Sequence, residues 1–188
     1  MEITKLYLNK IQKVLNYKNF KDIKVLINYL REAWICKKKV FICGNGGSAG
    51  NANHIANDLL YGVAGSKGVG LDVESLAANS SVLTCLANDT GYKNIFSKQL
   101  LVKASNDDVL IVLSGSGNSE NIIKAIKVAK NKDMKIFGIL GFDGGKVKKI
   151  INNYIHFNVN DMQISEDMQL IVMHICMQTL MLEKKFIK

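Results

Sequence analysis

The sequence predicts an α/β fold in three layers: a parallel sheet with helices on both faces, preceded by a helix pair. Three observations carry this. Short apolar, β-branched runs alternate with stretches of helical period along the chain. No hairpin signal joins any two runs, so neighbouring strands are expected to be parallel and linked by helical crossovers. A strand that breaks into a Gly/Ser loop and then a helix occurs twice, at 40–50 and 109–120. In open α/β sheets such loops gather at the carboxyl ends of the strands, where ligands bind. The expectation is one domain over 1–188, with an N-terminal helix pair in 1–37 and the α/β core in 40–188.

Ile3, Leu6, Ile11, Val14 and Leu15 fall at helical spacing over 3–16, and Phe20 to Ile35 resume it on a second helix. This pair is more than one sheet requires, and it suits packing against the sheet or against a second subunit. Val40 to Cys43 is strand one, with a helix from about Asn51 to Tyr61. Gly62 to Gly70 reads as an exposed turn and Leu71 to Leu76 as strand two. Residues 79–103 are helical in two pieces, broken at Asn88-Asp89-Thr90-Gly91. Val109 to Leu113 is a buried strand, followed by a helix over Glu120 to Asn131. Strand Lys135 to Leu140, the loop Gly141-Phe142-Asp143-Gly144-Gly145 and a short helix come next. Strand Tyr154 to Val159 and a closing helix from about Ser165 to Lys185 end the chain.

With 188 residues and 48% hydrophobic content, the chain can bury a full-sized core. No apolar run approaches the ~18 residues that cross a bilayer. The charged, amphipathic start, Met1-Glu2-Ile3-Thr4-Lys5, is unlike a secretory leader, so a cytoplasmic location and no membrane partner are expected. Cys36, Cys43, Cys85 and Cys176 lie in apolar segments without CxxC pairing, which suits buried, reduced thiols. The net charge of +9 raises nucleic acid as a partner. However, only Arg31 among 25 basic residues is arginine, the residue favoured for base and bidentate phosphate contacts. Lysines on solvated helix faces explain the charge, and no nucleic-acid partner is expected.

The glycine loop Gly44-Asn45-Gly46-Gly47-Ser48 sits between a strand and a helix, where exposed N–H groups and the helix's positive end suit an anion. Gly44-x-Gly46-x-x-Ala49 formally matches a dinucleotide fingerprint, with Asp72 or Glu74 as the ribose acid. The polar Asn45, the extra Gly47 and Ser48 depart from that pattern, and it leaves the second loop unexplained. In that loop Ser114, Ser116 and Ser119 fall within six residues, interleaved with Gly115 and Gly117. A turn with a serine N-cap accounts for one of them; three hydroxyls with glycine-permitted backbone approach suit a phosphomonoester on a small metabolite.

His54 and Asp58, four residues apart, share a helix face, as suits either a divalent metal or proton transfer, or else a plain surface pair. Glu166 and His174, eight apart, share a face of the closing helix. His174 lies in an otherwise apolar run, where a histidine is more often a satisfied core residue. His156 lies in a predicted strand and reads as structural.

The segments GNGGSAGNANHIANDL, LANDTGY, LSGSGNSENI, GFDGG and EDMQLIVMH, in this order, resemble the sugar isomerase (SIS) family, a flavodoxin-like or Rossmann-like sandwich. More narrowly they resemble its phosphoheptose isomerases, across nearly the whole chain. The resemblance implies a homotetramer with active sites between subunits, often holding a zinc ion. It implies that Ser48, Ser114, Ser116 and Ser119, with Gly46, Gly47 and Gly115 of the same loops, hold the phosphate. Asn45 and Asp89 would line the sugar site, while His54, Asp58, Glu166 and His174 would supply metal ligands and the acid/base pair. The implied reaction converts sedoheptulose 7-phosphate to a manno-heptose 7-phosphate through an enediol, in heptose supply for surface polysaccharide. Asp58 or Glu166 would be the base and His174 the acid/base at oxygen. Three positions depart from the family: Asp58 stands for its usual Glu, Glu166 for its common Gln, and Gly115 for its common Thr. Two other readings are an isomerase of a different phosphosugar and a non-catalytic SIS protein bound to a partner such as a replication initiator. His54, Asp58 and His174 together favour an enzyme, because a scaffold has no use for all three.

Overall fold

The protein is described by a computed structural model covering residues 2–65 and 68–183. Strands β1 (Val40–Cys43), β2 (Val73–Ser75), β3 (Val109–Ser114), β4 (Lys135–Leu140) and β5 (Tyr154–His156) form one sheet. All pairings are parallel, in the order β2-β1-β3-β4-β5. Helices α1 (Ile3–Val14) and α2 (Ile23–Ile35) precede β1, and α3 (Gly47–Asn57) follows it. Helices α4 (Ser80–Thr90) and α5 (Ser97–Lys103) connect β2 to β3. The chain continues through α6 (Glu120–Asn131), α7 (Gly145–Ile150) and the closing α8 (Met162–Glu183).

Alternation along the strands divides the core. Val40, Ile42, Val109, Ile111 and Leu113 face a cluster with Leu26 and Leu30 of α2, Ile55 of α3, and Met168 and Val172 of α8. Phe41, Cys43, Leu110 and Val112 face a second cluster with Leu100 of α5 and Ile122 and Ile126 of α6. Each fully buried Leu, Ile or Phe contributes ~1.5–3 kcal/mol, so both faces of the sheet are strongly held.

The helix pair docks on α8. Tyr7 donates to Asp167 Oδ2 at 2.5 Å, Lys10 to Asp161 Oδ2 at 2.7 Å, and Arg31 grips both Glu183 oxygens at 2.8 Å. On α1, Ile3 and Leu8 remain exposed among polar residues. Among the described residues no helix is long and apolar enough to cross a membrane.

Several expectations need correction. The helix after the glycine loop starts at Gly47, not Asn51, because the small residues of this stretch take helical geometry once β1 and α8 hold them. Strand two shrinks to Val73–Ser75 and the last strand to Tyr154–His156, both at sheet edges, where only one neighbour supplies hydrogen bonds. The break expected at 88–91 falls at Gly91, whose φ of 86° ends α4. Val63 and Ala64 are buried rather than part of an exposed turn. Residues 66 and 67 of that turn, and the helix end expected at 184–185, lie outside the described residues. All four cysteines are free, but only Cys43 and Cys176 are buried; Cys36 and Cys85 are exposed.

Candidate active site

Strands β1 and β3 are neighbours, with Cys43 paired to Val112, while their other partners run off to opposite edges. The order reverses here, which opens a crevice at the carboxyl ends of the two strands. The glycine loop leaves β1 and the serine loop leaves β3, so both open onto this crevice.

The first loop turns at Gly46, whose φ of 56° and ψ of −124° are closed to ordinary side chains. Gly47 then starts α3. A Cβ there would overlap the carboxylate of Glu166 from α8, so glycine makes room for that acid at the helix N-terminus. Asn45 forms a reciprocal amide pair with the buried Asn121 of α6, at 2.9 and 2.8 Å, and accepts from the Tyr92 hydroxyl at 2.9 Å. With Gly91, Lys93, Ser119 and Glu120 these residues line a cleft of about 440 Å³.

In the serine loop, Ser114 Oγ accepts from Gly117 N at 3.0 Å and Ser116 Oγ accepts from Asn118 N at 3.3 Å. Both hydroxyls are thereby used as acceptors and keep their own protons for another partner. Ser119 precedes α6 but makes no capping bond, so the simple N-cap explanation fails here. The loop is braced from behind: Gly141 N reaches the carbonyls of Ser114 and Gly115 at 3.2 and 3.1 Å, and Val147 N reaches Gly117 O at 2.9 Å. A side chain at 115 would meet Met162 Sδ, so the methionine occupies the space that a larger residue would take. Ser48, the second residue of α3, is only 3% exposed and accepts from Gln169 Nε2 at 3.0 Å.

At the far end of α3 three side chains converge. The Nε2 atoms of His54 and His174 are 3.0 Å apart, and Asp58 Oδ2 lies 3.4 and 3.5 Å from them. All three ligand atoms lie within 4.8 Å of one another. A tetrahedral zinc with ligands at ~2.0–2.2 Å places neighbouring ligand atoms roughly 3.3–3.5 Å apart, so the residues fit such an ion. Asp58 opens a single π-helical turn, Asp58–Gly62, which continues α3. Turns of this kind re-aim side chains and recur at functional sites. His174 has 42% of its side chain exposed, so it is not the satisfied core histidine that its apolar run suggests, and His54 is 49% exposed.

Two candidates lie apart from this cluster. Glu166 rests against Gly47, and Asp89 is exposed on α4, where it accepts from Cys85 Sγ at 3.5 Å and Asn88 Nδ2 at 2.8 Å. The Asp89 hydrogen bond raises the Cys85 thiol above its usual range, so this exposed cysteine is held as a neutral thiol. His156 lies on β5, its Nε2 2.9 Å from the Phe142 carbonyl and its Nδ1 3.2 Å from Lys148 Nζ. Asn121, Tyr92 and Gln169 belong to the site's architecture although the sequence reading passed over them. All three lie inside the segments quoted above, Tyr92 in LANDTGY, Asn121 in LSGSGNSENI and Gln169 in EDMQLIVMH, but nothing local marked them out.

These features define a class: an α/β protein with a crevice between two Gly/Ser loops and a His/Asp/His cluster on its flanking helices. The SIS domain profile matches residues 6–141. A phosphoheptose isomerase of Helicobacter pylori (strain P12) is 37% identical over 153 residues, covering 81% of this chain and 79% of that protein. One from Clostridium acetobutylicum is 41% identical over 136 residues, covering 72% and 67%. The solved phosphoheptose isomerase of Neisseria gonorrhoeae superposes with a TM-score of 0.80 at 26% identity, covering 95% and 96%. That of Francisella tularensis has the same fold, with a TM-score of 0.87 at 23% identity and 95% coverage of both chains. The chain belongs to the SIS domain family and, within it, to the phosphoheptose isomerases.

Proposed function

We propose that the protein is an aldose–ketose isomerase that converts D-sedoheptulose 7-phosphate to D-glycero-D-manno-heptose 7-phosphate through an enediol. The observation that carries this is the convergence of His174 of α8 with His54 and Asp58, which lie at the far end of the helix that begins at the glycine loop. Seven residues separate Gly47 from His54, about 10 Å of helix rise, which suits a phosphate anchored at one end of a sugar chain and chemistry at the other. The relatives' names supply the heptose.

In this reading Ser48, Ser114, Ser116 and Ser119, with the backbone of Gly46, Gly47 and Gly115, hold the phosphate, and Asn45 and Asp89 contact the sugar. Remote binding of the phosphate positions the reacting carbons. Asp58 takes the proton from the carbon next to the carbonyl. Its Oδ2 faces the two imidazoles, which leaves Oδ1 for that transfer. His174, whose Nε2 faces the cluster, moves the proton between the two sugar oxygens at Nδ1. His54, His174 and Asp58 would hold a zinc ion, which when bound supplies Lewis-acid stabilisation to the developing oxyanion. Glu166, beside Gly47, sets the charge at the phosphate end and is a fourth candidate ligand if its side chain swings toward the cluster.

We also propose a homotetramer in the cytoplasm. The half-exposed histidines, with Ile3 and Leu8 exposed on α1, suit burial by a second subunit, which would exclude water from the proton transfers. Four free thiols suit a reducing compartment.

The test is an assay of the purified chain, with and without zinc, on a panel of ketose phosphates of different length, following exchange of the C1 proton. Exchange greatest with the seven-carbon ketose is expected. No exchange with any of them overturns the isomerase reading, and a clear preference for a shorter sugar overturns the heptose.

A further inference from the structure

Ser48 is almost wholly buried, yet among the described residues its hydroxyl has a donor and no acceptor. A buried hydroxyl proton left without a partner is costly, so an acceptor is expected when the site is filled. The reason for this arrangement lies in the two amides behind it. Asn51 Nδ2 is 3.0 Å from the Glu166 backbone carbonyl and 3.0 Å from Gln169 Oε1. A carbonyl oxygen only accepts, so it fixes which end of the Asn51 amide faces α8. Asn51 then presents N–H to Gln169 and takes up its oxygen. Gln169, 0% exposed and unable to turn without losing both bonds, is left with its NH₂ facing Ser48.

We infer that Gln169, oriented by Asn51 and the Glu166 carbonyl, is a positioning residue that holds Ser48 as an acceptor and so directs its proton at the substrate phosphate. The chain of polarity runs one way: Asn51 donates to Gln169, Gln169 to Ser48, and Ser48 to the phosphate oxygen. The same logic repeats in the other loop, where Gly117 N and Asn118 N occupy the oxygens of Ser114 and Ser116. Hydroxyls set in this way need no reorganisation when an anion arrives, which strengthens binding. The inference rests on the reading of Ser48 as a phosphate ligand.

The experiment titrates the full chain with inorganic phosphate by calorimetry and measures KM and kcat on the phosphosugar. Gln169→Glu puts an acceptor where the donor stood and captures the Ser48 proton. Asn51→Asp acts from outside: the Gln169 amide turns to donate to the carboxylate introduced there and presents its own oxygen to Ser48. Each is expected to weaken phosphate binding and raise KM by ~10-fold or more, with kcat changed by less than ~3-fold. Either variant also adds negative charge, so both are repeated in a Ser48→Ala background. Charge repulsion persists there, whereas the relay has nothing left to orient, and the further loss should shrink to ~2-fold or less. Asn51→Asp carries the test if Gln169→Glu does not fold. Equal losses with and without Ser48, or wild-type phosphate affinity in the variants, overturn the inference while leaving Ser48 a ligand. If Ser48→Ala alone binds phosphate as tightly as wild type, the phosphate reading of Ser48 fails and the relay with it.

Discussion

His54 Nε2 and His174 Nε2 lie 3.0 Å apart although 120 residues separate them in the chain, and their rings stand at 85°. At that distance either one ring donates its N–H to the other's lone pair, or both lone pairs face a shared cation. Asp58 Oδ2, 3.4 and 3.5 Å away, stabilises both arrangements. The cluster exists because α3 and α8 pack side by side on one face of the sheet, with Ala52, Ile55, Met168 and Val172 buried between and beneath them.

Metal stoichiometry follows from that triad. One zinc ion per chain is expected by elemental analysis after loading and dialysis. His54→Ala and His174→Ala should each weaken zinc binding by at least the ~10–100-fold lost with an outer-shell partner. Stripping zinc with a chelator should lower turnover, and adding it back should restore it. Glu166→Ala should weaken zinc binding less than either histidine variant, because its carboxylate rests at Gly47 and must swing to reach the ion. Full zinc occupancy in both histidine variants would show that the ion binds elsewhere.

Proton transfer is tested separately from metal binding. Asp58→Asn and His174→Gln should each lower kcat by ~10² or more, the usual contribution of a positioned acid or base. KM should stay within a few-fold, because neither residue lies in the two Gly/Ser loops. Loss of solvent deuterium incorporation into product should accompany the drop in kcat. Near-normal turnover in both variants would remove the assigned roles.

How much of this was legible beforehand depended on the range of the signal. The sheet, both Gly/Ser loops and the helix pair were readable because each is written in a local pattern: β-branched runs, glycine and serine clusters, and 3.6-residue spacing. The pairing of His54 with Asp58 was also local, four residues apart on one helix. His174 was not, since the identity of the helix that faces α3 is a property of the tertiary fold. The separation of Glu166 from His174 was hidden for a related reason: spacing of eight places two Cα atoms on one face, but where each side chain points depends on its neighbours, here Gly47 for Glu166. Gln169 and Asn121 escaped because a buried amide looks like any other polar residue until its partners are known.

Glycine substitutions separate site from scaffold. At Gly47 an added Cβ meets only the tip of the Glu166 side chain, which can move, and alanine is the better helix former by ~1 kcal/mol. Gly47→Ala should therefore keep or slightly raise Tm while it fills the mouth of the anion loop and weakens phosphate binding. At Gly117 the backbone has a φ of 65° and an added Cβ overlaps the Gly144 carbonyl oxygen, which cannot move freely. Gly117→Ala should cost ~2–4 kcal/mol and lower Tm by several degrees. Thermal unfolding of the two variants checks this, and the opposite ranking of their Tm values would refute it.

Acid should loosen the helix pair before the sheet. The Lys10 ammonium holds Asp161 below the usual carboxylate range, and the Arg31 guanidinium does the same for Glu183. A carboxyl whose folded pKa is depressed stabilises the fold fully above its unfolded pKa, and that contribution fades as pH falls through the folded value. Both ties therefore hold at neutral pH and are lost below about pH 4, the range in which free carboxyls protonate. They sit at the two ends of α8, Asp161 just before its first residue and Glu183 at its last, so their loss loosens the docking of both α1 and α2. Both pairs are partly exposed, so each contributes only ~0–1 kcal/mol and is weakened by salt. The expected result is a fall in Tm between about pH 5 and pH 3 that is smaller in a Lys10→Met/Arg31→Met double variant, because that variant has already lost the ties at neutral pH. Hydrogen exchange should show α1 and α2 opening first in the wild type. An identical acid slope in both proteins would mean that other carboxylates govern the transition.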